Sequence, residues 1–272
     1  MQIVVPSRLQ HGFVRDLFIR DCSSRFRGDQ TLIGPESRVV PEYDPTVTAK
    51  LNENDGDWVL YGDRQSGSAA IELALAELGV DVELCDVSLD SNAQQTAAYR
   101  AVNPHGKLPA LKLPSGELLT ESAAILITLD ERHPGAGLLP SNPAERARAI
   151  RWLLFVATEI YPLVEIVDYP ARFLPRSAMS AMSEESLRQH IREIWKRRWL
   201  TVDAAVQGQP WILESGFSVV DLYIAVVSRW AGVATWRSAA LVNVERIAVA
   251  VAERDRCRAV WQRHFGAGGT GA

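Results

Sequence analysis

Glu121 and Ser122 stand side by side at the head of a helical run, Ser122–Arg132, which His133-Pro134-Gly135 ends. A helix N-terminus leaves backbone N–H groups unpaired and carries the positive end of the helix dipole, so it takes anions. A serine hydroxyl there adds one more donor for a carboxylate. A glutamate beside it supplies the counter-charge for an ammonium. The same pair has a purely structural reading, with Ser122 as the helix cap and Glu121 as a first-turn charge. A second group of hydroxyls lies upstream: Tyr61 closes the apolar run Trp58-Val59-Leu60-Tyr61, and Ser66 and Ser68 follow before a second helical run. Tyr61 also reads as a strand residue with a satisfied hydroxyl, and Ser68 as a simple cap. Between the two groups runs Asn103-Pro104-His105-Gly106-Lys107-Leu108-Pro109-Ala110-Leu111, a turn leading into a strand. Its proline falls near the strand start, where an edge or a bend tolerates it.

The elements that must position these groups follow from periodicity. Trp58–Tyr61, ended by Gly62-Asp63, is a buried-strand signal. Ser68–Gly79 is rich in Ala, Leu and Glu and reads as a helix that Ser68 caps and Gly79 closes. Val82–Val87 alternates at period two, so the three form a βαβ unit. A weaker helix follows near 94–101. Pro114-Ser115-Gly116 makes a hairpin turn to Leu118-Leu119-Thr120, and the Ser122 helix completes ββα. Residues 57–138 therefore resemble a thioredoxin fold.

After a short connector, residues 144–265 read as helical throughout. Apolar residues at 150, 153, 154, 157, 160 and 164 keep a 3.6-residue period, and Pro162 is expected to kink or end that helix. Ser183–Val206 and Ser218–Val233 are the next helices, the latter with Ser218 as cap and Asp221 three residues on, a capping box with Asp in place of Glu. Val242–Phe265 supplies the last one or two. The fold class expected is an α/β thioredoxin-like domain followed by an all-α helical domain. Residues 1–56 show poor hydrophobic periodicity and read as a poorly ordered extension. Its arginines are interrupted by Asp16 and Asp21, and it lacks the apolar stretch of a secretory signal.

The totals exclude several classes. A chain of 272 residues, 47% hydrophobic and 23% charged, suits two domains with substantial cores. A net charge of −4 argues against a nucleic-acid or anionic-membrane partner. No apolar run reaches the roughly 18 residues of a membrane span. Cys22, Cys85 and Cys257 are odd in number and far apart, and the five histidines show no metal-binding spacing. A reducing, cytoplasmic setting and no metal are expected.

The segment 103–111, the hairpin, and Glu121-Ser122-x-Ala-Ile together resemble the N-terminal domain of the soluble glutathione transferases. The capping motif at Ser218–Asp221 resembles that of the family's helical domain, so the likeness spans about residues 57–265. The resemblance implies glutathione as co-substrate, with no further cofactor, and transfer of its thiolate to a small apolar electrophile. It implies the γ-glutamyl carboxylate on Ser122 and the ammonium on Glu121. Pro109 becomes a cis-proline that exposes the Leu108 N–H and C=O to the cysteinyl unit, with Lys107 near the glycyl carboxylate. A trans proline beside a solvated lysine is the competing reading. A free thiol has a pKa near 8.5, so a donor must hold the thiolate at neutral pH. Related enzymes use a tyrosine at the end of the first strand, or a serine or cysteine before the first helix. The candidates here are Ser66, then Tyr61, then Ser68. With no cysteine there, thiol exchange and lyase chemistry lose support. Trp152, Phe155, Tyr161, Tyr169 and Phe173 are candidates for an apolar second-substrate pocket between the domains, of which one or two are expected to line it. A homodimer with a detoxifying role is also implied. Two alternatives stand beside this reading: a non-catalytic glutathione-binding or protein-interaction module, and a glutathione-dependent isomerase or dehalogenase.

Overall fold

Strand β1 (Trp58–Gly62) is the centre of the sheet, with Val59 and Leu60 buried. It pairs in parallel with β2 (Val82–Asp86) and antiparallel with β3 (Ala110–Lys112). β4 (Leu118–Thr120) pairs antiparallel with β3, giving the order β2-β1-β3-β4. Helix α1 (Ser68–Leu78) and helix α3 (Ser122–Arg132) pack together over the Leu60 and Leu111 face of this sheet. Helix α2 (Ala97–Val102), reached through a single 3₁₀ turn at Ala93–Gln95, contributes Tyr99 to a small cluster with Val87 and Leu108 on the other face. This is the expected thioredoxin-like arrangement. The structure, a computed structural model, describes residues 57–266, and the reading of 1–56 as an extension lies outside the described residues.

The helical half begins at α4 (Pro143–Phe155). Asn142 caps it, its side-chain oxygen accepting the N–H groups of Ala144 at 3.0 Å and Glu145 at 3.1 Å. The expected break at Pro162 is present. Pro162 has no N–H to donate, and its ring would crowd the carbonyl four residues back. A π-helical turn at Val156–Ile160 absorbs the mismatch, and α5 (Tyr161–Asp168) continues from there. Helix α6 (Ala181–Ala204) starts earlier than Ser183, because Ser180 is the residue whose hydroxyl accepts the Ser183 N–H, at 3.1 Å. Helix α7 (Val219–Val227) is buried along its whole length and stops well before Val233. Beyond its end, Ala231 and Gly232 adopt positive φ, so no helix runs on to Val233. The remaining helices are α8 (Ala234–Ala240), α9 (Val242–Glu253) and α10 (Arg258–Phe265).

The capping motif joins the halves. The Asp221 carboxylate accepts the Ser218 N–H at 2.8 Å and its hydroxyl at 3.2 Å with one oxygen, and the Ile212 N–H at 2.9 Å with the other. Burial pushes its carboxyl up to about 7, against the pull of those donors. The next N–H, of Val219, donates at 2.8 Å to the carbonyl of Leu138 in the connector. Asp221→Ala leaves buried N–H groups of Ser218 and Ile212 without acceptors, at about 1–3 kcal/mol each. The expected loss in urea unfolding is therefore about 3 kcal/mol. A loss below about 1 kcal/mol would show the box to be dispensable.

Candidate functional site

Three chain segments converge at one end of the sheet. The first is the Leu108–Pro109 peptide, which is cis. The ladder between β1 and β3 begins at the Tyr61–Ala110 pair, so the peptide groups of Leu108 precede it and lie outside it. The neighbouring Lys107 carbonyl accepts the Tyr99 hydroxyl and the Asn103 amide, both at 2.8 Å. Burial pushes Tyr99 up to about 12, so it stays a protonated donor. Cis-proline and its flank are thus held from behind by α2.

The second segment is the head of α3. The cap position belongs to Glu121 and not to Ser122, which is the first helical residue. Glu121 adopts φ 65°, ψ 109°, and its exposed side chain makes no capping bond. A non-glycine residue in that region costs about 1–3 kcal/mol and is often found at binding sites. The first N–H groups of α3 are consequently left open toward an anion. Ser122 is buried, close to the equally buried Tyr223 on α7.

The third segment is the turn into α1. Here the hydroxyls expected to do chemistry face inward. Ser66 Oγ lies 2.9 Å from the Asp63 carbonyl, Ser68 Oγ lies 3.1 Å from the same oxygen, and the two hydroxyls are 2.8 Å apart. Their two protons are shared between that carbonyl and each other. Ser68 does not cap α1: the cap position is Gly67, and the Ser68 N–H donates to Ser66 Oγ at 3.2 Å. Gly62 admits the Ser68 side chain, since a Cβ at 62 would meet Ser68 Oγ at 2.2 Å. Tyr61 packs on the opposite sheet face against Tyr99, ring centres 6.2 Å apart.

Gly67 marks where the segments meet. A Cβ placed on it would lie 2.8 Å from the Tyr161 hydroxyl, 3.2 Å from Pro109 Cδ and 3.2 Å from Ser122 Oγ. Tyr161, from the start of α5, therefore carries a phenol into the cluster formed by the cis-proline and the two helix heads. Its ring is fixed edge-on to Trp230 at 4.9 Å and lies 6.4 Å from that of Tyr223. Burial, with the nearby charges of Glu121 and Glu165, raises its pKa well above the ordinary tyrosine range, so the phenol keeps its proton. The sequence offered Tyr161 only as one of five pocket aromatics. Of the others, Trp152 is buried against Phe155, while Tyr169 and Phe173 are exposed. Lys107 points to Glu165 on α5, Nζ to Oε2 2.8 Å. A cavity of about 510 Å³ lined by Asp130, Arg146, Ser215 and Phe217 lies at the other end of α3 and takes no part in this cluster.

Comparison with known proteins bears on what the cluster serves. The family described as glutathione S-transferase, N-terminal domain, matches residues 60–137. A maleylacetoacetate isomerase of Pseudomonas aeruginosa is 32% identical over 163 residues, 59% of this chain and 74% of that protein. A glutathione S-transferase of Escherichia coli O157:H7 is 32% identical over 166 residues, 60% of this chain and 77% of that protein. The crystal structure of a glutathione transferase from Methylococcus capsulatus is 28% identical and superposes with a TM-score of 0.61, covering 75% of this chain and 97% of that one.

Gly67→Ala tests the convergence directly. The added methyl collides with Tyr161, which Trp230 and Tyr223 keep from yielding. Destabilisation of about 1–3 kcal/mol is expected in thermal unfolding. An unchanged melting temperature would mean that the phenol does not sit against residue 67.

Proposed function

The chain belongs to the glutathione transferase family, and from that premise we propose that it binds glutathione and presents the thiolate to a small apolar electrophile. The observation that carries this reading is the meeting, around Gly67, of a cis-proline, an open helix head and a protonated phenol. The γ-glutamyl carboxylate takes Ser122 and the free N–H groups of α3, and the ammonium pairs with Glu121. The cysteinyl unit pairs as an extra strand with the Leu108 N–H and C=O. Lys107 takes the glycyl carboxylate by exchanging its exposed pair with Glu165, which as a surface ion pair is weak.

Tyr161 is the donor that the geometry favours for the sulfur. Its phenol resists ionisation and so lends a hydrogen bond to the thiolate without competing for the charge. Ser66 ranks next and Ser68 after it, because each must first give up a bond inside the 63–68 turn. Tyr61 ranks last, for its place on the opposite sheet face. The thiol proton leaves to solvent, the sulfur bonds to the electrophilic carbon, and the leaving group departs with the electron pair. A homodimer belongs to the same proposal.

The relationship to a maleylacetoacetate isomerase favours a second reading, glutathione-dependent isomerisation, on the same site. The two separate on stoichiometry: a transferase consumes one glutathione per turnover and an isomerase none. A protein that binds glutathione but turns over neither a generic electrophile nor an isomerisable substrate is a binding module instead.

Ser122→Ala is expected to weaken glutathione by about 1–2 kcal/mol in calorimetry. Equal affinity in the folded variant would remove the helix head from the site. Tyr161→Phe should leave affinity nearly unchanged but raise the pKa of the bound thiol by about 1–2 units, since the lost bond favoured the thiolate. Turnover at neutral pH then falls about tenfold to a hundredfold and recovers toward alkaline pH. A profile that moves in Ser66→Ala and not in Tyr161→Phe would return the role to the serine.

A further inference from the structure

Gln65, at the bend of the 63–68 turn, has φ 60°, a conformation that side-chain-bearing residues avoid. Both polar atoms of its main chain are held by side chains from the helical half. The Gln65 N–H donates to His264 Nδ1 at 3.0 Å, and the Gln65 carbonyl accepts from Trp230 Nε1 at 2.6 Å. His264 is buried at the end of α10, and its other nitrogen lies 2.9 Å from Oε2 of Glu72, itself buried inside α1. Because Nδ1 accepts a hydrogen bond, the ring proton sits on Nε2, which donates to the carboxylate. Arg263 pairs with the same carboxylate, and Arg64 Nε donates to the Arg263 carbonyl at 3.0 Å. The chain of contacts runs from Glu72 through a neutral imidazole to one peptide of the turn.

We infer that His264 and Trp230 are positioning residues that hold the Gln65 peptide in its left-handed conformation and thereby set the place of Gly67 and the head of α1 in the glutathione site. The inference rests on the glutathione reading above and names the groups that hold that site in register. Trp230 acts on both sides of the site at once, since the indole that caps Gln65 also abuts the Tyr161 ring. Glu72 acts through the imidazole by fixing its tautomer and ring orientation. Without the two side chains the Gln65 main chain loses both of these bonds, and a residue with a Cβ is drawn toward negative φ. Gly67, two residues on, would then shift against Pro109 and Ser122.

Two substitutions at one position separate positioning from mere packing. The Oδ1 of asparagine stands near imidazole Nδ1, so His264→Asn keeps an acceptor for Gln65 and gives up Glu72. The side-chain amide of glutamine reaches the place of Nε2, so His264→Gln keeps Glu72 and gives up Gln65. The expected result is a crossed pattern. His264→Gln melts near the wild type yet loses about tenfold in kcat/KM with glutathione, the scale of one lost hydrogen bond. His264→Asn melts lower and rescues kcat/KM. Trp230→Phe, which removes the donor to Gln65 and trims the ring packed on Tyr161, should lose at least as much kcat/KM as the glutamine variant. Activity that tracks melting temperature across all three overturns the inference, as does wild-type kcat/KM in His264→Gln. Amide hydrogen exchange over residues 63–69 reads the clamp without ligand: protection should drop in His264→Gln and persist in His264→Asn. If the wild type binds no glutathione, the functional reading fails on its own, and the exchange result alone decides the clamp. Equal protection in the two variants then overturns it.

Discussion

Helix α1 is buried from Ser68 through Leu75 and half-buried in its last turn, and yet it carries two carboxylates, Glu72 and Glu77. A buried charge must be paired, and removing one partner of such a pair costs about 3–5 kcal/mol. Among the described residues their partners come from α10 and the turn before it. Arg254 meets Glu77 with two parallel bonds of 2.7 Å, and Cys257 Sγ donates to it at 3.1 Å. Arg256 takes the Glu77 carbonyl, while His264 and Arg263 meet Glu72. Burial raises the Glu77 carboxyl, but the bonds from Arg254 and Cys257 outweigh it and hold the group below its ordinary range. Burial and the same carboxylate push the Cys257 thiol far up, so it serves as a donor inside the fold and not as a nucleophile.

That constraint makes the thioredoxin-like half incomplete by itself. Its first helix is a charged element whose partners, among the described residues, lie between Arg254 and His264. The same dependence reaches the site. The head of α1, the peptide of Gln65 and the phenol of Tyr161 are all placed by packing between α1 and the helical half. Stability and site geometry thus draw on the same contacts, which is why a change at His264 or Trp230 reaches residues that neither touches.

What the sequence made legible was local. Gly79 closes α1 at φ 68° because only a residue without Cβ enters that conformation freely, and its type alone announces it. Pro162 interrupts its helix because it lacks an N–H, and Asp221 marks its helix because the box spans three residues. The segment 103–111 and the Glu121-Ser122 pair were legible for the same reason, as compact motifs. The errors were those of tertiary approach. Ser180 took the cap from a helix start read at Ser183, and Gly67 took it from Ser68. The hydroxyls of Ser66 and Ser68 turned to a carbonyl that local spacing does not reveal. His264 was not singled out at all and Tyr161 only as one of five candidate pocket aromatics, because each reaches the turn at Gln65–Gly67 across a stretch of chain no short-range pattern covers.

Gly67 explains why the loop and the helical half do not both present a hydroxyl at this point. A side chain at 67 would need the space that Tyr161 fills, since even its first carbon would come within 2.8 Å of the phenol oxygen. A chain with a reactive group at 67 would have to withdraw the tyrosine, and a chain with the tyrosine must keep 67 bare. The flanking serines do not evade this exclusion, because their hydroxyls are folded back on Asp63 to shape the turn. Asp63 is in turn fixed by the Leu89 N–H at 2.7 Å, so the turn cannot easily release them. The bare position, the inward serines and the intruding phenol are one packing solution, and each of the three is explained only with the other two.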